Sequence, residues 1–304
     1  MENDEKRVTT TNINWYPGHM AKAKREIAEV LPLVDIVLEL RDARIPSSSK
    51  NPMIDDILKN KPRLILLNKA TLADPKETKA WINALTGDDI YALDIDSISG
   101  YNMKQIQPFI KKILAPKLEA YAKKGLVNKS LRALVVGIPN VGKSTFINSM
   151  AKKKVAKTGD KPGVTKAQSW LKISDSIQFL DTPGILWPKF DNQEVGKRLA
   201  MIGSMNDEIL NVEELAIDTI KYIYSEYSDN VIERYGLDKE KTAASYDENA
   251  INPDNSVALY IMEQAAVKRG CIKKGNNIDY EKISNIILDD FRSGRLGRIS
   301  LETP

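Results

Sequence analysis

Short apolar runs alternate with stretches in which apolar residues recur every three or four positions, and this alternation sets the first expectation of the fold. Val34–Leu40 (VDIVLEL), Arg63–Leu67 (RLILL), Ile90–Ile95, Ala133–Val136 (ALVV) and Ile177–Leu180 (IQFL) read as strands. Between them, Met20–Leu31, Met53–Lys59, Pro75–Leu85 and Met103–Leu114 read as helices. Strands alternating with helices predict a parallel or mixed sheet covered by helices, with ligands at the carboxyl ends of the strands. After about Phe190 the pattern becomes mainly helical. Asn211 with Glu214 three residues on marks a helix start, and Tyr280, Ile283, Ile286, Ile287 and Phe291 recur at helical spacing as a core stripe. Residues 1–12 are polar and aperiodic, and are expected to form a disordered lead-in.

Composition narrows the class. A chain of 304 residues exceeds the usual single domain of roughly 100–200, so two domains are expected. No apolar run approaches the roughly 18 residues of a membrane span, and MENDEKRVTTTN lacks the apolar centre of a secretory signal. A cytoplasmic protein without a membrane partner is the expectation. The single cysteine, Cys271, excludes an intramolecular disulfide and a cysteine-based metal cluster. The net charge of +4 hides an asymmetry: residues 101–172 hold sixteen Lys and Arg against only Glu119 and Asp160, a local +14, and the remainder sums to −10. Residues 191–255 carry fifteen acidic side chains against six basic ones. Lysine-rich runs are commonly plain solvated surface, but a belt this lopsided favours a polyanionic partner.

The chemistry is concentrated in a few motifs. Gly137-Ile138-Pro139-Asn140-Val141-Gly142-Lys143-Ser144 fits G-x-x-x-x-G-K-[ST], directly after a strand and before an apolar-periodic helix, which is the context that motif requires. Its backbone N–H groups and the helix N-terminus suit phosphate oxygens, with Asn140, Val141, Gly142, Lys143, Ser144 and Thr145 as candidate contacts. Lys143 is placed at the β/γ-phosphates and Ser144 on Mg²⁺. Downstream, Asp181-Thr182-Pro183-Gly184 closes the strand IQFL, so that Asp181 reaches the metal through water and the Gly184 N–H meets the γ-phosphate. Lys161-Pro162-Gly163-Val164-Thr165 lies between them and offers the Thr165 hydroxyl to the metal and γ-phosphate.

GTPases read their base through an N-K-x-D motif that ordinarily follows the phosphate loop. Here Asn68-Lys69-Ala70-Thr71 follows the strand RLILL some seventy residues before that loop, and Asp96-Ser97-Ile98-Ser99-Gly100 offers the Ser97 backbone to guanine O6. The motifs thus run base, base, phosphate, metal, γ-phosphate. A sheet that gathers loops from several strands tolerates such permutation. The fold class is therefore α/β: a circularly permuted P-loop GTPase domain at 13–190, mostly parallel with helices on both faces, followed by a smaller, mainly helical C-terminal domain at 191–304.

Taken together with Trp15-Tyr16-Pro17-Gly18-His19-Met20-Ala21-Lys22, Asp42-Ala43-Arg44-Ile45-Pro46, DTPGILWPKF at 181–190 and Phe291-Arg292-Ser293-Gly294-Arg295-Leu296-Gly297, these motifs resemble the YlqF/RbgA group of bacterial circularly permuted GTPases, which assist assembly of the large ribosomal subunit. The resemblance spans roughly residues 13–304. It implies a GTPase switch that binds the maturing large (50S) subunit and its rRNA, with hydrolysis driving release; a nucleotide-regulated scaffold with negligible turnover is the alternative. DNA is not an expected partner, and a metabolic P-loop kinase is disfavoured by the D-T-P-G and N-K pairs. One departure stands out: Thr71 occupies the place of the motif's aspartate, and since one hydroxyl cannot accept both guanine N–H groups, weakened guanine discrimination is expected.

Ile185, where many GTPases carry a water-orienting glutamine, predicts slow hydrolysis until another group is supplied. The resemblance points to His19, the one histidine of the chain, for that role, and to Asn140 as an asparagine associated with potassium activation. A surface histidine and a plain loop asparagine fit these two positions equally well. Asp42, Arg44 and Pro46 fit either a helix-entry turn with a salt bridge or a direct switch contact. Candidate RNA contacts are Lys152, Lys153, Lys154 and Lys157, and near the C-terminus Arg269, Lys273, Lys274, Arg292, Arg295 and Arg298.

Overall fold

In a computed structural model of the chain the described residues are 25–58, 61–87, 89–126, 129–153, 170–182, 192–207 and 210–304. The chain falls into two compact units. Of the described residues, those up to 182 together with 302–304 form one, and 192–301 form the other.

Six strands build the first unit: β1 Ile36–Asp42, β2 Arg63–Asn68, β3 Ile90–Asp94, β4 Leu131–Gly137, β5 Trp170–Ser174 and β6 Ile177–Asp181. They lie in the order β3-β2-β1-β4-β6-β5, all neighbours parallel except β5 against β6. β1 and β2 are buried along their whole length, as near-continuous apolar runs in parallel sheets are. β1 continues two residues beyond the apolar run, because its charged positions are paired within the protein. Glu39 accepts from Arg41 Nε at 2.7 Å and from Arg63 Nη1 at 3.1 Å, and Arg63 also reaches Asp55 at 2.6 Å. β5 has no counterpart in the apolar pattern: it is a half-exposed edge strand held by its antiparallel neighbour, with an irregularity between Lys172 and Ser174.

Helices α1 Pro52–Leu58, α2 Pro75–Leu85, α3 Ile106–Ile113, α4 Ala115–Lys123 and α5 Lys143–Ala151 connect these strands. α2 begins where its sequence asks: Asp74 accepts from the N–H groups of Lys76 (2.7 Å) and Glu77 (3.3 Å), and Pro75 fills the first turn. The stretch expected as one helix from Met103 opens with a 3-10 turn at Met103–Gln105, and the chain breaks at Leu114 before α4. Pro116 in the first turn of α4 has no N–H for the Lys112 carbonyl, which forces that break. Beneath α5 the rings of Phe146 and Phe179 stack at 5.6 Å.

The second unit is helical: α6 Gln193–Met201, α7 Val212–Glu226, α8 Ser228–Tyr235, α9 Lys239–Ala243, α10 Ser256–Arg269 and α11 Tyr280–Arg292. α7 starts at Asn211, whose side chain accepts the Glu214 N–H. Its buried face of Leu215, Ala216, Ile220 and Ile223 packs against α10 and α11. The α11 stripe is buried at Ile283, Ile287 and Phe291, while Tyr280 and Ile286 are half-buried and the Tyr280 hydroxyl donates to Glu263 at 2.6 Å. No helix among the described residues is long and apolar enough to cross a membrane.

Candidate nucleotide-binding site

Strand order places the site. The chain runs outward from β1 to β2 and β3, then returns to the other side of β1 to form β4. That reversal opens a crevice outside the carboxyl ends of β1 and β4, the place where open α/β sheets bind ligands. Asp42 ends β1, Asn68 ends β2, Asp96 and Ser97 follow β3, Gly137 ends β4 and Asp181 ends β6. Register aligns them, with Leu40 opposite Gly137, Asp42 opposite Asn68 and Val135 opposite Asp181. Motifs seventy residues apart in sequence therefore meet.

Their contact is specific. Asn68 Nδ2 donates to the Val141 carbonyl at 2.8 Å, and Asn68 Oδ1 accepts from the Ser97 N–H (3.0 Å) and Ser97 Oγ (2.8 Å). Asn68 thus clasps both the phosphate loop and the β3 loop. Gly142, at φ +97°, is what lets them approach, since a Cβ there would stand 2.5 Å from Asn68 Nδ2. Lys69 takes a left-handed conformation and extends Nζ to the Asn140 carbonyl at 2.9 Å and to Asp42 Oδ2 at 3.1 Å. For a residue with a side chain that backbone geometry is uncommon and clusters at functional sites.

Asp42 anchors this arrangement. It is fully buried and receives the Arg44 N–H at 3.1 Å, Nε at 2.9 Å and Nη2 at 2.8 Å, with Arg44 itself buried. Burial pushes the Asp42 carboxyl up, but Arg44 and Lys69 outweigh it and hold it well below the ordinary carboxylate range. Burial lowers Lys69, against the pull of Asp42. The same loop is held from the far end of the chain. Glu302 accepts from the N–H groups of Ser47 (2.7 Å) and Ser48 (3.0 Å) and from the Ser48 hydroxyl, and its carbonyl accepts from Trp81 Nε1 at 3.1 Å.

On the phosphate side, Lys143 is buried and donates to the carbonyls of Gly137 (3.1 Å) and Ile138 (2.8 Å). Burial lowers its pKa to about 8, with the Asp181 charge acting the other way. Ser144 sits in the first turn of α5, Thr145 follows it, and Asp181 is buried at the end of β6. A hydroxyl and a carboxylate are hard oxygen donors, and they suit Mg²⁺, which takes its remaining ligands from water and phosphate. The Thr182 hydroxyl fixes the start of the following segment by donating to the Val135 carbonyl at 2.8 Å. His19, Thr165, Gly184 and Ile185 lie outside the described residues, as do Lys154 and Lys157 and the segments 1–12 and 161–165.

Three contacts were not read from the sequence: the Asp42–Lys69 pair, the Glu302 clasp on Ser47 and Ser48, and a hydrogen bond from the Thr71 hydroxyl to Asp96. None of the three had a local signal, because in each the partners come from segments far apart in sequence.

A family model described as "50S ribosome-binding GTPase" matches residues 132–246, beginning within β4. "Ribosome biogenesis GTPase A" of Bacillus licheniformis is 47% identical over 292 residues, covering 96% of this chain and 98% of its own. "Mitochondrial ribosome-associated GTPase 1" of Bos taurus is 32% identical, covering 95% and 88%. A GDP-bound structure of TM YlqF superposes with a TM-score of 0.61 at 26% identity, covering 92% of this chain and 99% of that one.

Proposed function

The chain belongs to the ribosome biogenesis GTPase A family, and from that premise we propose that it binds the maturing large ribosomal subunit through its rRNA, promotes late assembly, and leaves on GTP hydrolysis. It is a GTP-hydrolysing enzyme that acts in ribosome assembly, with GTP as substrate and Mg²⁺ as the metal. The observation that carries the reading is the clasp of base motif on phosphate loop, Asn68 to Val141 and Lys69 to Asn140, within a chain of which the Bacillus licheniformis relative covers 96%.

Each residue has a chemical task. The loop Gly137–Ser144 presents backbone N–H groups and the α5 N-terminus to the phosphates, and Lys143 neutralises them. Ser144 and Asp181 would hold Mg²⁺, which when bound would supply positive charge against the phosphates. Thr165 and the Gly184 N–H close on the γ-phosphate, and His19 orients the attacking water where Ile185 cannot. Asn140 would hold a potassium ion, which when bound would offset negative charge on the phosphates. Residues 13–190 act as the GTPase domain and 191–304 as the RNA-binding domain, in the cytoplasm. Because the γ-phosphate motif lies last in the GTPase domain, hydrolysis is felt directly by the segment leading into the helical domain.

Phosphate release, measured with and without large-subunit particles and in potassium against sodium, tests this. Turnover is expected to be slow alone, to rise at least tenfold with particles, and to be faster in potassium. Turnover indifferent to particles would favour the scaffold alternative, and equal rates in the two salts would remove the role of Asn140.

A further inference from the structure

We propose that guanine's N1–H and 2-amino group are read by Thr71 and Asp96 acting together, Asp96 supplying from the β3 loop the carboxylate that the N-K-x-D position lacks. The inference deepens the GTPase reading and rests on it.

Thr71 lies in the 3-10 turn Ala70–Leu72, which the Ala70 N–H ties to the Ile95 carbonyl at 3.0 Å. Asp96 is the next residue of that neighbouring segment, and it is buried. The Thr71 hydroxyl donates its proton to Asp96 Oδ2. A hydroxyl has one proton to give, so Thr71 Oγ1 then presents only lone pairs to anything else that approaches. The carboxylate is itself fixed, because Oδ1 accepts from the N–H groups of Ile98 (2.8 Å) and Ser99 (3.0 Å). The loop is closed further by Asp96 N–H to the Tyr101 carbonyl (3.0 Å) and Gly100 N–H to the Asp96 carbonyl (2.9 Å). Oδ2, with Thr71 its one hydrogen-bond donor among the described residues, retains acceptor capacity.

The result is two acceptor oxygens side by side, Thr71 Oγ1 and Asp96 Oδ2, sharing one negative charge. Guanine presents two adjacent donors, N1–H and the 2-amino group, on one edge. Adenine presents an acceptor, N1, at the corresponding place, and hypoxanthine lacks the amino group. A fork of two acceptors therefore selects guanine as an aspartate does, with one oxygen lent by a threonine. The placement also suits the base, since Asp96 is joined to Ser97, which Asn68 grips, and the Asp96 charge is felt at Lys69. The weakened discrimination expected from Thr71 considered alone does not follow once its proton is committed to a buried carboxylate.

The experiment is competition binding of GDP, IDP and XDP to the full chain. Binding of GDP by the wild-type protein tests the underlying reading; its ratio to IDP tests the proposal, and GDP is expected to be favoured about tenfold or more. In Asp96→Asn, Oδ1 still accepts from Ile98 and Ser99, so the loop is kept, but an amide N–H now faces the base. The GDP-to-IDP preference is expected to fall by about tenfold to a hundredfold, and XDP, which carries a carbonyl at C2, to gain relative to GDP. Thr71→Val, which deletes one acceptor and its hydrogen bond to Asp96 while Ile98 and Ser99 still hold the carboxylate, is expected to lower the same ratio. Moving the carboxylate, in Thr71→Asp with Asp96→Asn, is expected to restore it. A GDP-to-IDP ratio unchanged in both Asp96→Asn and Thr71→Val overturns the proposal and leaves Asp96 as a brace for its own loop.

Discussion

Both units of the molecule bury an aspartate against basic side chains, and the two clusters do different things. In the nucleotide-binding unit Asp42 pairs with a fully buried Arg44 and with Lys69, which reaches the phosphate loop. The acid there fixes a functional cation. In the helical unit Asp290 on α11 is as deeply buried and gathers Arg234 (2.7 Å), Arg295 (3.1 Å) and Arg269 (3.4 Å), whose side chains are 25%, 50% and 35% exposed. Burial pushes Asp290 up, but Arg234 and Arg295 outweigh it and keep its carboxyl below the ordinary range. Here the acid fastens α8 and α10 to α11, and the arginines spend their charge on it rather than on a ligand. Burial of the cation, not of the acid, separates the two clusters.

That contrast predicts unequal costs. Asp42→Asn takes the carboxylate of its ion pair from the buried Arg44 and is expected to destabilise the protein by about 3–5 kcal/mol, while weakening nucleotide binding through Lys69. Asp290→Asn releases arginines that turn to water, and is expected to cost about 1–2 kcal/mol without changing nucleotide affinity. Urea unfolding with GDP titration measures both, and equal costs would erase the distinction. A smaller effect belongs to the phosphate side. Lys143 is lowered to about 8 by burial, so above that pH the folded site has shed a proton that the unfolded chain keeps up to about 10.5. Stability therefore rises with pH across that window. Phosphate binding restores the proton, so GDP affinity is expected to fall above about pH 8, by up to about tenfold per pH unit, with proton uptake seen calorimetrically. Affinity flat from about pH 7 to about pH 9.5 would show that Lys143 stays charged.

The parts legible from sequence are those whose cause is local. The strands Arg63–Asn68 and Leu131–Gly137 announce themselves as apolar runs, α2 by Asp74 and Pro75, and the phosphate loop by its glycines in a strand-to-helix context. Even the permuted order was readable, because each motif carries its own pattern. What escaped depends on distant partners. β5 exists because β6 supplies its hydrogen bonds. Glu302 grips Ser47 across 255 positions, and nothing in either segment names the other. Thr71 looked like a loss because the carboxylate its hydroxyl donates to stands 25 residues away, in the loop after a different strand.

The same reasoning sorts the candidate RNA contacts near the C-terminus. Arg292 donates to Asp207 (2.6 Å) and to the carbonyls of Met201 and Ala200, and Arg295 bridges Asp289 (2.7 Å) and Asp290. A phosphate must displace those partners before it gains either arginine, so the exchange returns little. Lys274 sits on the turn between Ile272 and Ile278, exposed and in no ion pair among the described residues. It can condense on phosphate and release a counterion at no internal cost. In binding to large-subunit rRNA across a salt series, Lys274→Ala is expected to reduce the slope of log affinity against log salt by about one. Arg295→Ala is expected to leave that slope alone and to lower stability only slightly. If Arg295→Ala flattened the slope as much as Lys274→Ala, the arginines of the helical unit would be ligands held in reserve rather than fasteners, and the contrast with Asp42 would rest on the nucleotide site alone.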